Sequence, residues 1–260
     1  MFQIERAEKI LDYINEHKKV HVIELSEIFN VSKVTIRRDL EDLAQKGLIV
    51  KTHGGAVSIE NRFSYEIPTE AKENLNVSAK RIIGKKAATL INDNDIILLD
   101  AGTTTLEVAK NITQSNITVI THDIKIANEL AHKKNINLIV TGGSLLNTDT
   151  YTLVGNRCEK FIRSLKVNKT FLGCDALDIE SGLSNRSIEE IEIKKAMMDS
   201  AQQSILVTDS EKFGKRVFCH LCQISDIKTI VTEKISEQYM GALNEYGVEI
   251  IIADTNKQEE

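Results

Sequence analysis

Seven short apolar runs recur between residue 96 and residue 254, and each one stops at a polar residue or a glycine. Helix-like stretches separate most of these runs. Buried strands that alternate with helices are typical of a mainly parallel sheet covered by helices on both faces. We therefore predict an α/β fold here, with ligands bound outside the carboxyl ends of the strands. The runs are 96–100, 117–121, 136–143, 169–175, 204–209, 228–233 and 248–254, and the helix-like stretches are 123–133, 156–165, 186–202 and 235–246.

The first 57 residues follow a different pattern, in which helices come first. Apolar side chains at helical spacing predict a helix near the N-terminus, and "VIELSEIFN" predicts a second, shorter one. A third helix is predicted between Ser32, as its N-cap, and Gly47, as the residue that follows its end. Two short strand-like pieces then surround Gly54 and Gly55. This order of elements predicts a small winged helix-turn-helix domain.

Shifts in composition divide the chain into four segments. We predict a winged helix-turn-helix domain at 1–57, a linker at 58–74, a ligand-binding effector domain at 75–255 and a polar tail at 256–260. The linker is polar and holds the only proline of the chain, Pro68.

Charge and composition narrow the class of protein. The net charge of −5 argues against a globally basic nucleic-acid binder. Residues 1–57 hold nine basic and nine acidic residues, so the whole negative charge lies after them. No apolar run approaches the roughly 20 residues of a membrane helix, the N-terminus lacks a signal-peptide core, and four cysteines are too few for a disulfide scaffold. We expect a cytoplasmic protein without a membrane partner, in which any DNA contact depends on local placement in the first domain.

The predicted third helix has a buried and an exposed face. At about 100° per residue, Ile36, Leu40 and Leu43 fall on one inward stripe. Val34 and Arg38 point the opposite way. Exposed arginine, together with an apolar side chain near the positive end of a helix, suits the major groove of DNA. Without the neighbouring elements, an ordinary helical domain with a charged, solvated face would explain the same pattern.

The segments "VSKVTIRRDLEDLAQKG" and "HGGA" closely resemble the DeoR family of bacterial regulators of sugar metabolism. The resemblance implies contacts with double-stranded operator DNA from the helix and from the wing that follows it. We assign Lys33 and Arg37 to phosphate contacts, because these usually outnumber base contacts. The DNA-binding residues implied by the resemblance are Ser32, Lys33, Thr35, Arg37, Arg38, His53, Gly54 and Gly55.

A second motif follows the apolar run at 96–100. In "DAGTTT", Gly102 allows a close approach of the backbone to a ligand, and three threonines supply hydroxyl and amide groups where a helix begins. That combination suits a phosphate or carboxylate. Asp100 should avoid a phosphate, so it either holds the loop or accepts from a sugar hydroxyl. A plain strand-to-helix turn with threonine caps is the alternative. The threonines are Thr103, Thr104 and Thr105.

Other strand ends carry further candidate ligand-binding residues. Gly142 and Gly143 form a second close-approach turn, Asp175 ends a strand, and Lys212 follows Asp209 where its charge could neutralise a phosphate. The effector domain of the DeoR family shows the same series of motifs, with Val154-Gly155 among them. The resemblance implies a Rossmann-like domain that is similar to sugar-phosphate isomerases and that binds a phosphorylated sugar.

Catalysis is the alternative to sensing. Isomerisation of a sugar phosphate needs a general base and an acid close to the sugar carbons. The isomerases resembled here use a lysine in a glycine-rich loop soon after the aspartate, whereas the first lysine after Asp175 is Lys194, within a predicted helix. Cys219 and Cys222 have the spacing of half a zinc site, but no second close pair exists. We therefore predict no enzyme activity, no metal and no cofactor.

Together these features predict a two-domain transcriptional regulator, a repressor of a sugar-utilisation operon. Its predicted partners are double-stranded operator DNA and a phosphorylated sugar. A homodimer or a higher homo-oligomer is expected, because winged helix-turn-helix proteins usually read two half-sites. A sugar-phosphate isomerase-like enzyme with an accessory DNA-binding domain is the alternative.

Overall fold

The computed structural model describes residues 3–45, 48–52, 54–58, 69–147 and 150–254. The chain forms two compact units, Met1–Leu75 and Asn76–Glu260. The predictions for Gly47, His53 and Pro68, and those for most of the linker and for the polar tail, lie outside the described residues.

The first unit has the order of elements that the sequence predicts, and the winged helix-turn-helix is confirmed. Its three strands form an antiparallel sheet in the order β1-β3-β2, in which β2 and β3 make the wing hairpin. The elements are α1 (Gln3–His17), β1 (Lys19–His21), α2 (Val22–Ile28), α3 (Lys33–Gln45), β2 (Ile49–Thr52), β3 (Gly55–Ser58) and α4 (Thr69–Glu73).

Local signals explain how α3 is placed. The backbone amide of Thr35 donates to the hydroxyl oxygen of Ser32 at 3.1 Å, so Ser32 caps the helix as predicted. Ile36, Leu40 and Leu43 are buried in one core with side chains of α1 and α2, as their spacing predicts.

The second unit contains the remaining α-helices and strands of the described chain. They are α5 (Val77–Ala88), β4 (Ile96–Leu99), α6 (Thr103–Lys110), β5 (Ile117–Thr121), α7 (Ile124–Leu130), β6 (Ile136–Val140), β7 (Ser144–Leu145), β8 (Leu153–Val154), α8 (Asn156–Arg163), β9 (Val167–Leu172), β10 (Ala176–Asp178), β11 (Gly182–Asn185), α9 (Ile188–Ser200), β12 (Ala201–Val207), β13 (Cys219–Cys222), β14 (Thr229–Thr232), α10 (Glu237–Glu245) and β15 (Glu249–Ile252).

A seven-stranded parallel sheet organises this unit, in the order β15-β14-β12-β9-β4-β5-β6. Each of the seven predicted apolar runs supplies one strand, so the predicted α/β fold is confirmed. Side chains of α5, α6 and α7 share one buried cluster with one face of the sheet. Side chains of α8, α9 and α10 share another cluster with the opposite face.

The order of the strands reverses between β4 and β9. From β4 the chain continues to β5 and β6 on one side, whereas β9, β12, β14 and β15 all lie on the other. The carboxyl ends of strands at such a switch point border a crevice, which is where open α/β sheets bind ligands. The "DAGTTT" segment follows β4 directly and therefore lies at this crevice.

Some short antiparallel strands were not predicted. β10, β11 and β13 form a three-stranded sheet, and β7 pairs with β8. These strands have two to four residues. A period-2 pattern cannot be recognised over so short a length.

Gly84 in α5 allows that helix to touch α6 closely. A Cβ atom at Gly84 would lie 2.5 Å from the backbone carbonyl carbon of Glu107, whereas at Gly241 in α10 a Cβ would meet nothing within 4 Å. We predict that Gly84→Ala lowers the free energy of unfolding by about 1–3 kcal/mol, because overpacking outweighs the helix-propensity gain. Gly241→Ala should instead raise it by about 0.5–1 kcal/mol. Urea denaturation of both variants tests this, and equal shifts would contradict the close packing.

Candidate nucleic-acid interface and ligand site

The N-terminal half of α3 presents cationic and apolar side chains to solvent. Lys33, Arg37 and Arg38 are exposed, and Val34 is 58% exposed. This is the face that the helical spacing predicts for DNA. An exposed surface with these groups can donate to phosphates or guanine edges and can touch a thymine methyl.

The other predicted DNA-binding residues have different surroundings. The hydroxyl groups of Ser32 and Thr35 lie 2.9 Å apart and bond each other, so both take part in capping α3. Gly54 is exposed at the turn of the wing hairpin. Gly55 is buried in β3, where a Cβ would lie 1.8 Å from the carbonyl oxygen of Val20. Close packing of β1 on β3 therefore explains the glycine at position 55. His53 lies outside the described residues.

A buried ion pair closes the switch point of the large sheet. Asp100, at the carboxyl end of β4, is fully buried, and its Oδ2 accepts from the ammonium of Lys194 in α9 and, at 2.8 Å, from the amide of Gly173. Lys194 also donates to the carbonyl of Gly173 at 3.2 Å. The lysine therefore joins the ends of β4 and β9. Asp100 therefore links the end of β4 to β9 and α9, and its assignment to the ligand site stays a prediction.

Lys194 is a functional candidate that the sequence interpretation set aside because it falls in a helix. Burial alone would lower the pKa of its ammonium. Attraction by Asp100, Glu190 and Asp175 outweighs burial and holds that pKa above its usual value. Lys194 is therefore a fixed positive charge directly behind the "DAGTTT" loop. Its place among the apolar residues of α9 was the available signal in the sequence.

His122 follows β5 and lies beside the same pair. Its Nε2 is 3.6 Å from Oδ1 of Asp100. Burial lowers the pKa of His122 to about 4, although attraction by Asp100 opposes the shift. The imidazole is therefore neutral near pH 7. Within the described part of the chain, neither Oδ1 of Asp100 nor Nδ1 of His122 has a hydrogen-bond partner.

Asp123 connects the end of β5 to the "DAGTTT" segment. Its carboxylate caps α7 by accepting from the amide of Ile126 at 3.0 Å. Burial raises the pKa of Asp123 to about 6, against the lowering effect of hydrogen bonds from the amides of Ile126, Lys125 and Gly102. The bond from Gly102 places this carboxylate next to the glycine of the loop.

The N-terminus of α6 has backbone amides without helical acceptors. The helix begins at Thr103 after Gly102, whose φ of +155° favours glycine and which makes no side-chain cap. The first helical bond runs from the amide of Leu106 to the carbonyl of Gly102 at 2.9 Å. The three threonine amides lie before that bond and have no helical acceptor. At the opposite end, Lys133 donates to the carbonyls of Ala109, Lys110 and Ile112 at 2.8, 2.8 and 3.2 Å.

The three threonines differ in their side-chain surroundings. Thr103 and Thr105 are buried, and the hydroxyl of Thr105 donates to the carbonyl of Gly102 at 2.8 Å. Thr104 is half-buried. Thr104 is therefore the most exposed of the three threonines.

Asp175 is not a free strand-end carboxylate. Its Oδ1 lies 2.8 Å from Nη1 of Arg186, and its Oδ2 accepts from the amide of Arg186 at 3.1 Å. Both residues are buried. The sequence interpretation missed Arg186, because nothing local to that residue indicates a partner eleven positions earlier.

The remaining predicted ligand residues lie further from the switch point. Lys212 is half-buried after β12, and Gly142 and Gly143 follow β6. Each of these strands lies two strands from β4, or about 10 Å at the usual strand spacing. A Cβ at Gly143 would lie 2.7 Å from the carbonyl oxygen of Val154, so its close approach is to β8. A lysine side chain can span such a distance, whereas a glycine has no side chain with which to reach a ligand at β4.

The cysteines lie in apolar surroundings. Cys219 and Cys222 are buried in β13, and burial raises the pKa of Cys222 to about 12. Among the described residues, no group of three or more His, Cys, Asp or Glu side chains is arranged to hold a metal ion. No described helix is both long enough and apolar enough to cross a membrane.

The opposite pKa shifts of His122 and Asp123 predict opposite effects on stability. The pKa of His122 falls from 6.5 in the unfolded chain to about 4. Its contribution to the free energy of unfolding is therefore present above pH 6.5 and is lost as the pH falls through 4. The pKa of Asp123 rises from 3.8 to about 6, so its contribution is present below pH 3.8 and is lost as the pH rises through 6. We predict that His122→Gln makes the free energy of unfolding less sensitive to acid, and that Asp123→Asn makes it more sensitive.

Urea denaturation at about pH 7 and about pH 4.5 measures how the free energy of unfolding changes between the two pH values. Each group contributes at most about 3 kcal/mol to that change. Asparagine can also cap a helix, so Asp123→Asn removes the titrating carboxylate without removing the N-cap of α7. If both variants keep the wild-type pH dependence, the burial of these two groups is contradicted.

Known families match both units. Residues 6–62 match the DeoR-like helix-turn-helix domain, and residues 75–234 match the DeoR C terminal sensor domain. An uncharacterized HTH-type transcriptional regulator of Bacillus subtilis, YulB, is 37% identical over 99% of this chain and 100% of its own. A putative aga operon transcriptional repressor of Escherichia coli O157:H7 is 32% identical over 95% of this chain and 93% of its own.

Solved structures that match part of this chain include an isomerase and a regulator. Ribose 5-phosphate isomerase from Plasmodium falciparum is 20% identical, with a TM-score of 0.38, over 52% of each chain. The sorbitol operon regulator SorC from Klebsiella pneumoniae is 12% identical, with a TM-score of 0.37, over 82% of this chain and 90% of its own. Taken together, the two domain matches and the full-length relatives show that this chain belongs to the DeoR family of DNA-binding transcriptional regulators.

Proposed function

We propose that the second unit senses a phosphorylated sugar, and that the bound sugar changes the affinity of the first unit for operator DNA. The observation that carries this proposal is the N-terminus of α6, which has no side-chain cap and begins at a positive-φ glycine at the switch point of the sheet. In this proposal, the protein acts in the cytoplasm as a repressor of a sugar-utilisation operon.

The phosphate is assigned to the start of α6. Backbone amides and the positive end of the helix dipole both favour an anion there. The hydroxyl of Thr104 adds a donor, and Lys212 reaches in from the end of β12 as a point charge. Gly102 admits the phosphate, and Asp100 stays behind the loop, where Lys194 balances its charge. Gly142, Gly143 and Asp175 border the crevice without a direct role in phosphate binding.

The pairing of the buried ionisable groups supports sensing over turnover. A sugar-phosphate isomerase needs a base that can take a proton from a sugar carbon. Lys194 keeps its proton because its pKa is raised, and Asp175 is paired with Arg186. His122 is neutral, but it is only 1% exposed. These groups favour a rigid receptor over a catalyst.

The DNA contacts are assigned to α3 and the wing. Arg38 reads a base, Lys33 and Arg37 hold phosphates, and Gly54 brings the wing backbone to the duplex. Relatives named as the aga operon repressor and as the L-fucose operon activator of Haemophilus influenzae support a sugar operon as the target. A two-fold symmetric oligomer would place two reading helices on two half-sites.

The coupling requires unequal binding. A sugar phosphate that binds the DNA-competent and DNA-incompetent states equally would change nothing, however tightly it binds. A tenfold change in DNA affinity needs a difference of about 1.4 kcal/mol between the two states. The effector is therefore expected to alter the operator dissociation constant and, reciprocally, to bind less or more tightly when DNA is present.

Two single variants should separate the two proposed sites. Thr104→Val should reduce the rise in Tm that a pentose or hexose phosphate produces in wild type, while DNA binding stays unchanged. Arg38→Ala should weaken binding to a duplex selected by the wild-type chain by about 1–3 kcal/mol, while the rise in Tm stays unchanged. Thermal shift and fluorescence anisotropy provide the two measurements.

Exposed residues of the same types serve as matched controls. Thr113→Val and Arg81→Ala should each leave both measurements as in wild type, because both side chains are exposed and neither is among the proposed contacts. A normal thermal response in Thr104→Val would contradict the phosphate site. Turnover of any sugar phosphate in the panel would favour the isomerase-like alternative.

A further inference from the structure

Acidic residues are interleaved with the cations of α3. Asp39 follows Arg37 and Arg38 directly, yet it is only 1% exposed, whereas both arginines are exposed. An unpaired carboxylate next to these side chains would repel DNA phosphates and would be costly to bury. The helix therefore needs a partner for Asp39 from another element.

Arg6 of α1 is that partner, and it binds through two hydrogen bonds. Its Nε donates to Oδ2 of Asp39 at 2.6 Å, and its Nη2 donates to Oδ1 at 3.1 Å. The arginine side chain is 11% exposed. The hydrogen bond to Asp39 raises the pKa of Arg6 above its usual value. A planar two-point contact fixes direction as well as distance, which a single contact does not.

A second ion pair on the same helix differs in burial. Glu41 pairs with Lys51 of the wing strand β2, and the two side chains are 49% and 40% exposed. Exposed ion pairs of this kind contribute little to the free energy of unfolding, because water screens the charges and both side chains must be ordered. The chain thus supplies a buried pair and an exposed pair on one helix, which can be compared directly.

We propose that Arg6 and Asp39 are positioning residues for DNA reading, because their two-point contact sets the rotation of α3 about its own axis. The inference rests on the proposed assignment of α3 as the reading helix. Side chains extend about 5–6 Å from a helix axis, so a rotation of about 20° moves their tips by about 2 Å. That displacement is enough to break a hydrogen bond to a base edge.

The test compares specific and non-specific DNA binding within each full-length variant. A duplex selected from a random library by the wild-type chain serves as the specific probe, and a scrambled duplex of equal composition serves as the non-specific one. The specificity ratio is the dissociation constant for the non-specific duplex divided by that for the specific duplex, and it is measured at one salt concentration. A lower folded fraction weakens both values equally and cancels in the ratio, so a merely structural role leaves the ratio unchanged.

Arg6→Lys keeps the charge but loses the two-point contact, and it should lower the specificity ratio by about tenfold or more. Asp39→Asn should lower the ratio in the same direction. Glu41→Gln makes the same change of net charge at the exposed pair, so it should strengthen both kinds of binding and leave the ratio near that of wild type.

Arg38→Ala is the reference for loss of a base contact and should also lower the ratio. If Arg38→Ala lowers the ratio but Arg6→Lys does not, the positioning role is overturned while α3 remains the reading helix. If Arg38→Ala leaves the ratio unchanged, the assignment of α3 is wrong, and the inference falls with it.

Discussion

The ion pair between Lys194 and Asp100 is the interaction on which the second unit most depends. It joins α9 to the ends of β4 and β9, where the strand order reverses, and both partners are buried. Removing one partner of such a pair typically costs about 3–5 kcal/mol, because the other charge stays buried. At the amino ends of the same two strands, Lys169 pairs with Asp95 at 2.5 Å. The central strands are therefore held by charge at both ends, and the proposed ligand site begins two residues after Asp100.

In each unit, a buried aspartate close to the proposed contact site is paired with a cation. In the second unit, Asp100 is balanced by Lys194, and the amides at the start of α6 remain available to an anion. In the first unit, Asp39 is balanced by Arg6, and the two arginines before it point to solvent. This arrangement is compatible with the proposed binding of DNA and phosphate by a protein with a net charge of −5, because attraction depends on local charge rather than on the total.

The sequence predicted the features that local pattern controls. The seven parallel strands were predicted because buried strands form continuous apolar runs, and α3 was predicted because Ser32 caps a stripe of apolar residues. Long-range pairs were missed, since the residues that form them lie far apart in the chain. Lys194 meets Asp100 across 94 positions, and its helical setting led the sequence interpretation to discount it. His122 and Arg186 each follow a strand directly, but their contacts with Asp100 and Asp175 form only in the folded chain.

The most direct test of the whole account is the operator affinity of the full-length chain as a function of effector. The dissociation constant for the selected duplex would be measured during titration with a sugar phosphate that raises the Tm, and with the same sugar lacking its phosphate. The account predicts that the phosphorylated sugar changes the dissociation constant by about tenfold or more, and that the free sugar changes it little. A sugar phosphate that binds the folded chain tightly and leaves DNA affinity unchanged, across the whole panel, would contradict it.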